Sequence, residues 1–384
     1  MSKELTLIIK TVERCNINCK YCYFFNSIDK SYETHPPYIL PKTIDHIAKF
    51  IYNAINCFDI DSIIICFHGG EPMMQKQDDF ENMCSILSAT VKSKAHIYFS
   101  IQTNGMLITE KWVNIFLKYD VQIGISLDGP EKYNDKDRID NRGKGTYHRV
   151  VRNIEYYNQQ AHQHKPLSIL CVINPEHDPC LIYKHFTENL GINRIDFLLP
   201  DNNYNHLPSA SPDKYGKYLC SIFKQWKKSP AKVYVRFITS ILQVFLNNNS
   251  LIYGTGPTDF NCLPLLTIAS NGNISPVDEL RTADPALMET KLNVKSHSLS
   301  DCINHSNFQY IKNAEGHIPK LCQPCCWSNV CHGGALVNRY SDKNKFDNPS
   351  IYCDGLKLFY TEVANYLLEQ GLSYAQLENL LQIN

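Results

Sequence analysis

The 384-residue sequence lacks an uncharged apolar run long enough to cross a bilayer, for which a helix needs about 20 residues. It also lacks an excess of either charge. Lys and Arg number 38 and so do Asp and Glu, so composition gives no reason to expect nucleic acid or an anionic membrane as partner. The opening MSKELTLIIK enters a strand-like run at once, without the zones of a signal peptide. No short-period repeat is visible. What the chain does have is cysteine, 16 in all. In a small secreted chain that would read as a disulfide scaffold. In a chain this long without an export signal it points to metal and a reducing compartment. The expectation is a cytoplasmic metalloenzyme with one large domain and an appendage.

Apolar, β-branched runs fall at 5–12, 62–67, 96–102, 121–127, 167–173 and 194–199, with helix-length segments between them at 42–56, 78–91, 110–119, 147–159 and 181–189. Short uninterrupted apolar strands alternating with helices imply an α/β fold with a parallel sheet covered by helices. Six such units are too few for a complete eight-stranded barrel. Ligands of parallel α/β folds collect at the carboxyl ends of the strands, and the motifs fall there.

After the first run comes Cys15-Asn-Ile-Asn-Cys19-Lys-Tyr-Cys22. Three thiolates at CxxxCxxC spacing can hold three irons of a [4Fe–4S] cubane and leave the fourth open, whereas an electron-transfer cluster uses four cysteines. A zinc site or a chance cluster is the plain alternative. After the second run stands His68-Gly-Gly-Glu-Pro72, after the third Gln102-Thr-Asn-Gly105, and after the fourth Ser126-Leu-Asp-Gly-Pro130, followed by Arg138. Taken singly these are turns, and His68 reads as a packed, hydrogen-bonded residue.

Together these motifs resemble the radical S-adenosylmethionine (radical SAM) enzymes, within them the peptide-modifying branch that includes the anaerobic sulfatase maturases. The resemblance implies a partial (β/α)6 TIM-like barrel. It implies that Cys15, Cys19 and Cys22 hold a cluster whose open iron chelates SAM, which is cleaved to a 5′-deoxyadenosyl radical. It assigns Tyr21, Gly70, Glu71, Ser126 and Arg138 to SAM, Leu198 as a weaker adenine-packing residue, and Gln102 to the substrate. Free cysteine elsewhere behaves as a small buried hydrophobe, so Cys57, Cys66, Cys84, Cys171 and Cys180 are expected in the core.

The second strong signal is Cys322-x2-Cys325-x5-Cys331 with a distal Cys353. Four thiolates so spaced suit tetrahedral zinc or a fully ligated [4Fe–4S] cluster, and the spacing alone does not separate them. Behind a radical SAM core the pattern resembles the C-terminal SPASM domain, which carries auxiliary clusters. Val277 and Ala335 stand where that pattern has cysteines, so one auxiliary cluster is expected, with Cys302 and Cys326 as substitutes, Cys326 the poorer because Cys325 beside it is already committed, and Cys262 as a structural remnant. Asp278 matches the general base of the sulfatase-maturase group, a role suited to a reaction that loses a proton as well as an electron. The Val-Asp-x-Leu-Arg form is closer to the maturases that form three-residue cyclophanes.

The expected division is 1–200 for the barrel, 201–258 for bridging helices and loops, 259–355 for the SPASM-like domain and 356–384 for C-terminal helices, with a capping box at Ser373. The resemblance implies a maturase of a ribosomally made precursor peptide with a leader, served by an electron donor such as flavodoxin or ferredoxin. It would abstract a Cβ hydrogen and form a cross-link to an aromatic residue. Oxidation of Cys or Ser to formylglycine, thioether formation and epimerisation are the alternatives.

Overall fold

The computed structural model describes residues 3–92, 94–161, 166–228, 232–246, 248–250, 252 and 263–381. Cys262, and residues 253–258 of the expected bridge, lie outside the described residues. Two compact units divide the chain, each drawn from two stretches: Met1–Ile169 with Asn261–Ile311, and Leu170–Phe260 with Lys312–Asn384.

Among the described residues the strands are β1 (Glu4–Val12), β2 (Ser62–Gly69), β3 (His96–Thr103), β4 (Gln122–Ser126), β5 (Ser168–Val172), β6 (Arg194–Leu198), β7 (Tyr234–Val235), β8 (Leu266–Ile268), β9 (Asn273–Ser275) and β10 (Leu292–Asn293). The first six match the six apolar runs to within a residue or two. Helices Pro41–Phe58, Gln77–Val91, Glu110–Lys118 and Tyr147–Gln160 fill the expected intervals. The fifth interval is a helix at Pro179–Lys184 that widens into a π-turn at His185–Asn189. The fold is therefore α/β, with the six strand–helix repeats of the partial (β/α)6 TIM-like barrel and a cysteine-rich C-terminal stretch.

In the first unit, β1 to β4 are neighbours in sequence order and parallel. Sequence reasoning missed β8, which pairs parallel with the other edge of β1, Leu7 with Leu266 and Ile9 with Ile268; β9 and β10 follow antiparallel. This edge brings residues 278–282 to the side of β1. Stacked Phe67 and Phe99, ring centroids 5.5 Å apart, and Phe80 against Trp112 at 5.0 Å fill the space beneath the helices. One cysteine expected in the core is not there. Cys57 is exposed, because the buried stripe of its helix runs through Ile44, Ile47, Ile51 and Ile55 and has turned away at position 57. Cys84 and Cys171 are buried, and Cys66 and Cys180 are partly so.

In the second unit, β6 pairs parallel with β7. Helix Pro212–Trp226 lies against helix Cys353–Glu369, with Phe223 5.8 Å from Phe359. The helices touch through glycine: a Cβ on Gly216 would stand 2.3 Å from the carbonyl oxygen of Gly355. The last helix, Tyr374–Leu381, opens with the expected capping box, Ser373 and Gln376 bonding each other's backbone N–H.

Candidate active site

The cysteine loop follows β1 directly and is pinned by backbone bonds. Asn18 N–H donates to the Ile139 carbonyl at 2.7 Å and Lys20 N–H to that of Asp137 at 3.0 Å. On its other side, Gly70 N–H donates to Val12 O at 2.7 Å and Glu71 N–H to Arg14 O at 2.9 Å. Glycine is required for that approach, since a Cβ on Gly70 would lie 2.2 Å from Arg14 O. Burial pushes the Cys15 thiol up to about 12, and negative charge on Glu71, Cys19 and Cys22 adds to the shift. Such thiols stay protonated until a cation takes the thiolates, as an iron–sulfur core does.

Glu71 is wholly buried. Its Oε1 accepts from Thr103 Oγ1 at 2.6 Å and Met73 N–H at 2.9 Å, and its Oε2 from Asn104 N–H at 2.7 Å. The Asn104 side chain in turn donates toward Cys15 Sγ at 3.8 Å and to Asn16 Oδ1 at 2.8 Å. Glu71 thus braces the turn after β3 against the cysteine loop. Gln102 Nε2 donates to Ser126 Oγ at 2.9 Å, joining the ends of β3 and β4. Arg138 is buried, and its Nη1 donates at 2.9 Å to the hydroxyl of Tyr21, which itself donates to Asp128. Tyr21 as a whole is 36% exposed, while its hydroxyl is tied down by Arg138 and Asp128.

Asp278 opens the 3-10 turn Asp278–Thr282 and is buried. Four donors surround its carboxylate. Arg281 gives Nε at 3.0 Å and Nη2 at 2.6 Å to Oδ1; the Tyr23 hydroxyl at 2.5 Å and Lys10 Nζ bond Oδ2. Arg281 also pairs with buried Asp29 at 2.6 Å. Lys10 is the strand partner of His68 in the β1–β2 register, and its Nζ lies 3.3 Å from His68 Nδ1, which also accepts from Gly69 N–H at 2.8 Å. Burial alone would raise the Asp278 carboxyl pKa, but the charges of Arg281 and Lys10 outweigh it and hold it well below the ordinary value. His68 is driven to about 3 by burial and by Lys10, so it stays neutral with Nδ1 as acceptor.

In the second unit, Cys322, Cys325, Cys331 and Cys353 line one cavity together with Trp327, Lys357 and Tyr360. Cys353 starts the helix that carries Lys357 and Tyr360, four and seven residues on and therefore on one face. Burial raises the Cys331 thiol to about 12. Among the described residues no three His, Cys, Asp or Glu side chains converge as for a single metal ion. A cubane asks for something wider, because its irons hold the thiolates apart. Four thiols around one cavity suit it.

Residues 9–178 match the model of the radical SAM superfamily. The chain carries a radical SAM domain. It is an enzyme, and the cofactors of such a domain are a [4Fe–4S] cluster and SAM. Among curated relatives, a cysteine-type anaerobic sulfatase-maturating enzyme of Clostridium novyi (strain NT) is 25% identical, over 97% of this chain and 100% of its own. A serine-type anaerobic sulfatase-maturating enzyme of Bacteroides thetaiotaomicron is 24% identical, over 95% and 91%. A solved structure of native anSMEcpe with bound AdoMet and Kp18Cys peptide superposes with a TM-score of 0.81 at 22% identity, covering 95% of this chain and 98% of that one, and so shares its fold.

The radical SAM unit thus gathers Cys15, Cys19, Cys22, Tyr21, Gly70, Glu71, Gln102, Ser126, Arg138 and Asp278. Leu198, half-buried at the end of β6, and the four-cysteine cavity belong to the second unit. Val277 is buried and carries no thiol to the Asp278 turn, and Cys302 is buried and Cys326 exposed. Sequence reasoning missed Lys10, Tyr23 and Asp29, and read Arg281 only as part of the Val-Asp-x-Leu-Arg form. A signal for Lys10 was present: a lysine inside an otherwise apolar strand needs a buried partner.

Proposed function

We propose that this enzyme matures a ribosomally made precursor peptide in the cytoplasm. It takes a hydrogen atom from a side-chain Cβ and closes a bond from that carbon to an aromatic ring of the same peptide, a three-residue cyclophane. The observation that carries this reading is the ligand count. The C-terminal stretch holds one complete four-cysteine set, and Val277 and Ala335 stand where a second set would need cysteine. The names of the relatives support the coarser statement, a peptide-modifying radical SAM enzyme.

Cys15, Cys19 and Cys22 would hold a [4Fe–4S] cluster, which together with SAM would supply the 5′-deoxyadenosyl radical. Gly70 offers backbone to the SAM amine, and Glu71 stiffens that wall through Asn104. Ser126 and Arg138 would hold the carboxylate and ribose of SAM, and Tyr21 would meet the edge of its adenine. Gln102 faces the peptide. Loss of one hydrogen atom leaves a carbon radical; bonding to the ring then requires the ring to lose one proton and one electron. Asp278 takes the proton. Because Arg281 and Lys10 disfavour its protonated form, it passes the proton on, and Tyr23, half-buried and bonded to Oδ2, is the outward route. A cluster on Cys322, Cys325, Cys331 and Cys353 would supply a one-electron acceptor. A peptide closing over the site keeps water from the radical, and a flavodoxin or ferredoxin would deliver the first electron.

The test is anaerobic incubation of reconstituted enzyme, SAM and dithionite with two peptides, one rich in aromatic residues and one carrying the cysteine context of a sulfatase. Loss of two hydrogens from the first, with a ring-to-Cβ bond in its fragmentation spectrum, supports the cross-link. A hydrazide-reactive aldehyde on the second, with the first unchanged, makes formylglycine formation the function. That second reading is favoured by the sulfatase-maturating relatives.

A further inference from the structure

The helix Cys353–Glu369 does more than supply a thiol. Its first residue is Cys353, and Lys357 and Tyr360 follow at one and two turns on the same face, lining the same cavity as the four cysteines. Tyr360, only 4% exposed, lines that cavity with Cys331, and the two groups influence each other's protonation. Lys357, one turn after Cys353 and exposed to solvent, brings its positive charge to the Cys353 edge of the cavity. Tyr360 is held in place by packing, with its ring 5.8 Å from that of Trp327 and 6.3 Å from that of Phe359. A phenol buried this deeply needs a hydrogen-bond acceptor, and a ligating sulfur meets that need. Arg339 adds positive charge near Cys322 and Cys331, but its guanidinium bonds are spent on the carbonyls of Phe346, His317 and His332, which makes it a structural brace of the loop.

We propose that Tyr360 and Lys357 are positioning residues that raise the reduction potential of the cluster held by Cys322, Cys325, Cys331 and Cys353, so that it accepts an electron readily. This rests on the reading of that cavity as a cluster site. The couple is one-electron: the oxidised cluster gains one electron and one negative charge, and its sulfurs become stronger acceptors. A hydrogen bond or a cation at a ligating sulfur stabilises the reduced form more than the oxidised one, and hydrogen bonding to the sulfurs is among the levers that set the potentials of these clusters. Tyr360 acts within a buried setting and has the larger effect. Lys357 is exposed, so solvent screens it.

The experiment uses the full chain carrying Cys15→Ala/Cys19→Ala/Cys22→Ala, reconstituted anaerobically with iron and sulfide so that only the second cavity is loaded. Tyr360→Phe keeps the ring and its packing, and Lys357→Met keeps the stem. Each is titrated with dithionite and mediators, followed by the optical and electron paramagnetic resonance signals of the reduced cluster. The parent should hold about four irons. In Tyr360→Phe the reduced-to-oxidised ratio at fixed poise should fall about tenfold, which for a one-electron couple is about 59 mV to the negative side. Lys357→Met should lower the ratio by a smaller factor. The iron–sulfur stretching bands should shift in D2O in the parent and lose that shift in Tyr360→Phe. Unchanged midpoints in both variants, with iron content intact, overturn the proposal. If the triple-alanine parent binds zinc or no iron, the cluster reading itself fails, an outcome told apart by metal analysis before any titration. Should Tyr360→Phe fail to load iron, an unshifted Lys357→Met midpoint overturns the proposal and a shifted one supports it.

Discussion

Lys10→Met is the most searching test of the Asp278 site. Lys10 is 1% exposed, and its ammonium is shared among the Asp278 carboxylate, the Tyr23 hydroxyl at 3.2 Å and His68 Nδ1 at 3.3 Å. Two unit charges at contact distance attract by about 4 kcal/mol at an effective dielectric constant of about 20. Burial of both offsets much of that, yet removing one partner of a buried pair costs about 3–5 kcal/mol because the other charge stays behind. Arg281 still faces Asp278 in the variant, which puts the expected loss at the lower end, about 3 kcal/mol. Asp278→Asn alone leaves Arg281 paired with Asp29 and Lys10 with only the charge of Glu13, which it does not bond, and should cost as much. The double variant restores neutrality, with Arg281 paired to Asp29 and an amide at position 278. Its cost should therefore fall short of the sum by at least about 1.5 kcal/mol. Urea unfolding of the four proteins under one anaerobic buffer, followed by circular dichroism, gives the cycle. Additivity within about 0.5 kcal/mol would refute the coupling, and with it the account of how Asp278 is kept ionised.

Two further outcomes follow from the same geometry. His68 titrates at about 3 in the fold, below its ordinary value, chiefly because it is buried and then because Lys10 opposes its charge. The unfolded chain therefore binds the proton first, so this contribution is complete above about pH 6.5 and is lost on acidification at up to about 1.4 kcal/mol per pH unit. His68→Gln, which keeps an acceptor for Gly69 N–H, should flatten the stability profile between about pH 6.5 and pH 5 in urea titrations, and an unchanged slope would disprove the assignment. Gly70→Ala places a Cβ 2.2 Å from Arg14 O and 2.5 Å from Arg14 C, both backbone atoms that cannot swing away. The loop must shift at a cost of about 2–3 kcal/mol, and iron analysis should show the cluster of Cys15, Cys19 and Cys22 lost while the second is retained.

Much of this protein was readable from local sequence. Runs of β-branched residues bounded by turn dipeptides located β1 to β6, because side-chain alternation and turn chemistry act over a few residues. The cysteine spacing CxxxCxxC and the run Cys322-x2-Cys325-x5-Cys331 are legible for the same reason, since ligands close in sequence need only a local loop to meet a common ion. The capping box at Ser373 is likewise a four-residue matter. What only the tertiary structure decided are the meetings across long separations. Strands β8 to β10 are two or three residues long, too short to carry a period, and they exist because the edge of β1 offers bonds to β8, on which β9 and then β10 add. That docking sets Asp278 beside Lys10, 268 residues away, and Arg281 beside Asp29, 252 away. No propensity in a short window records such a pairing. Buried charge has to find opposite charge wherever the fold brings it, and the sequence shows only the unmatched lysine in its apolar strand.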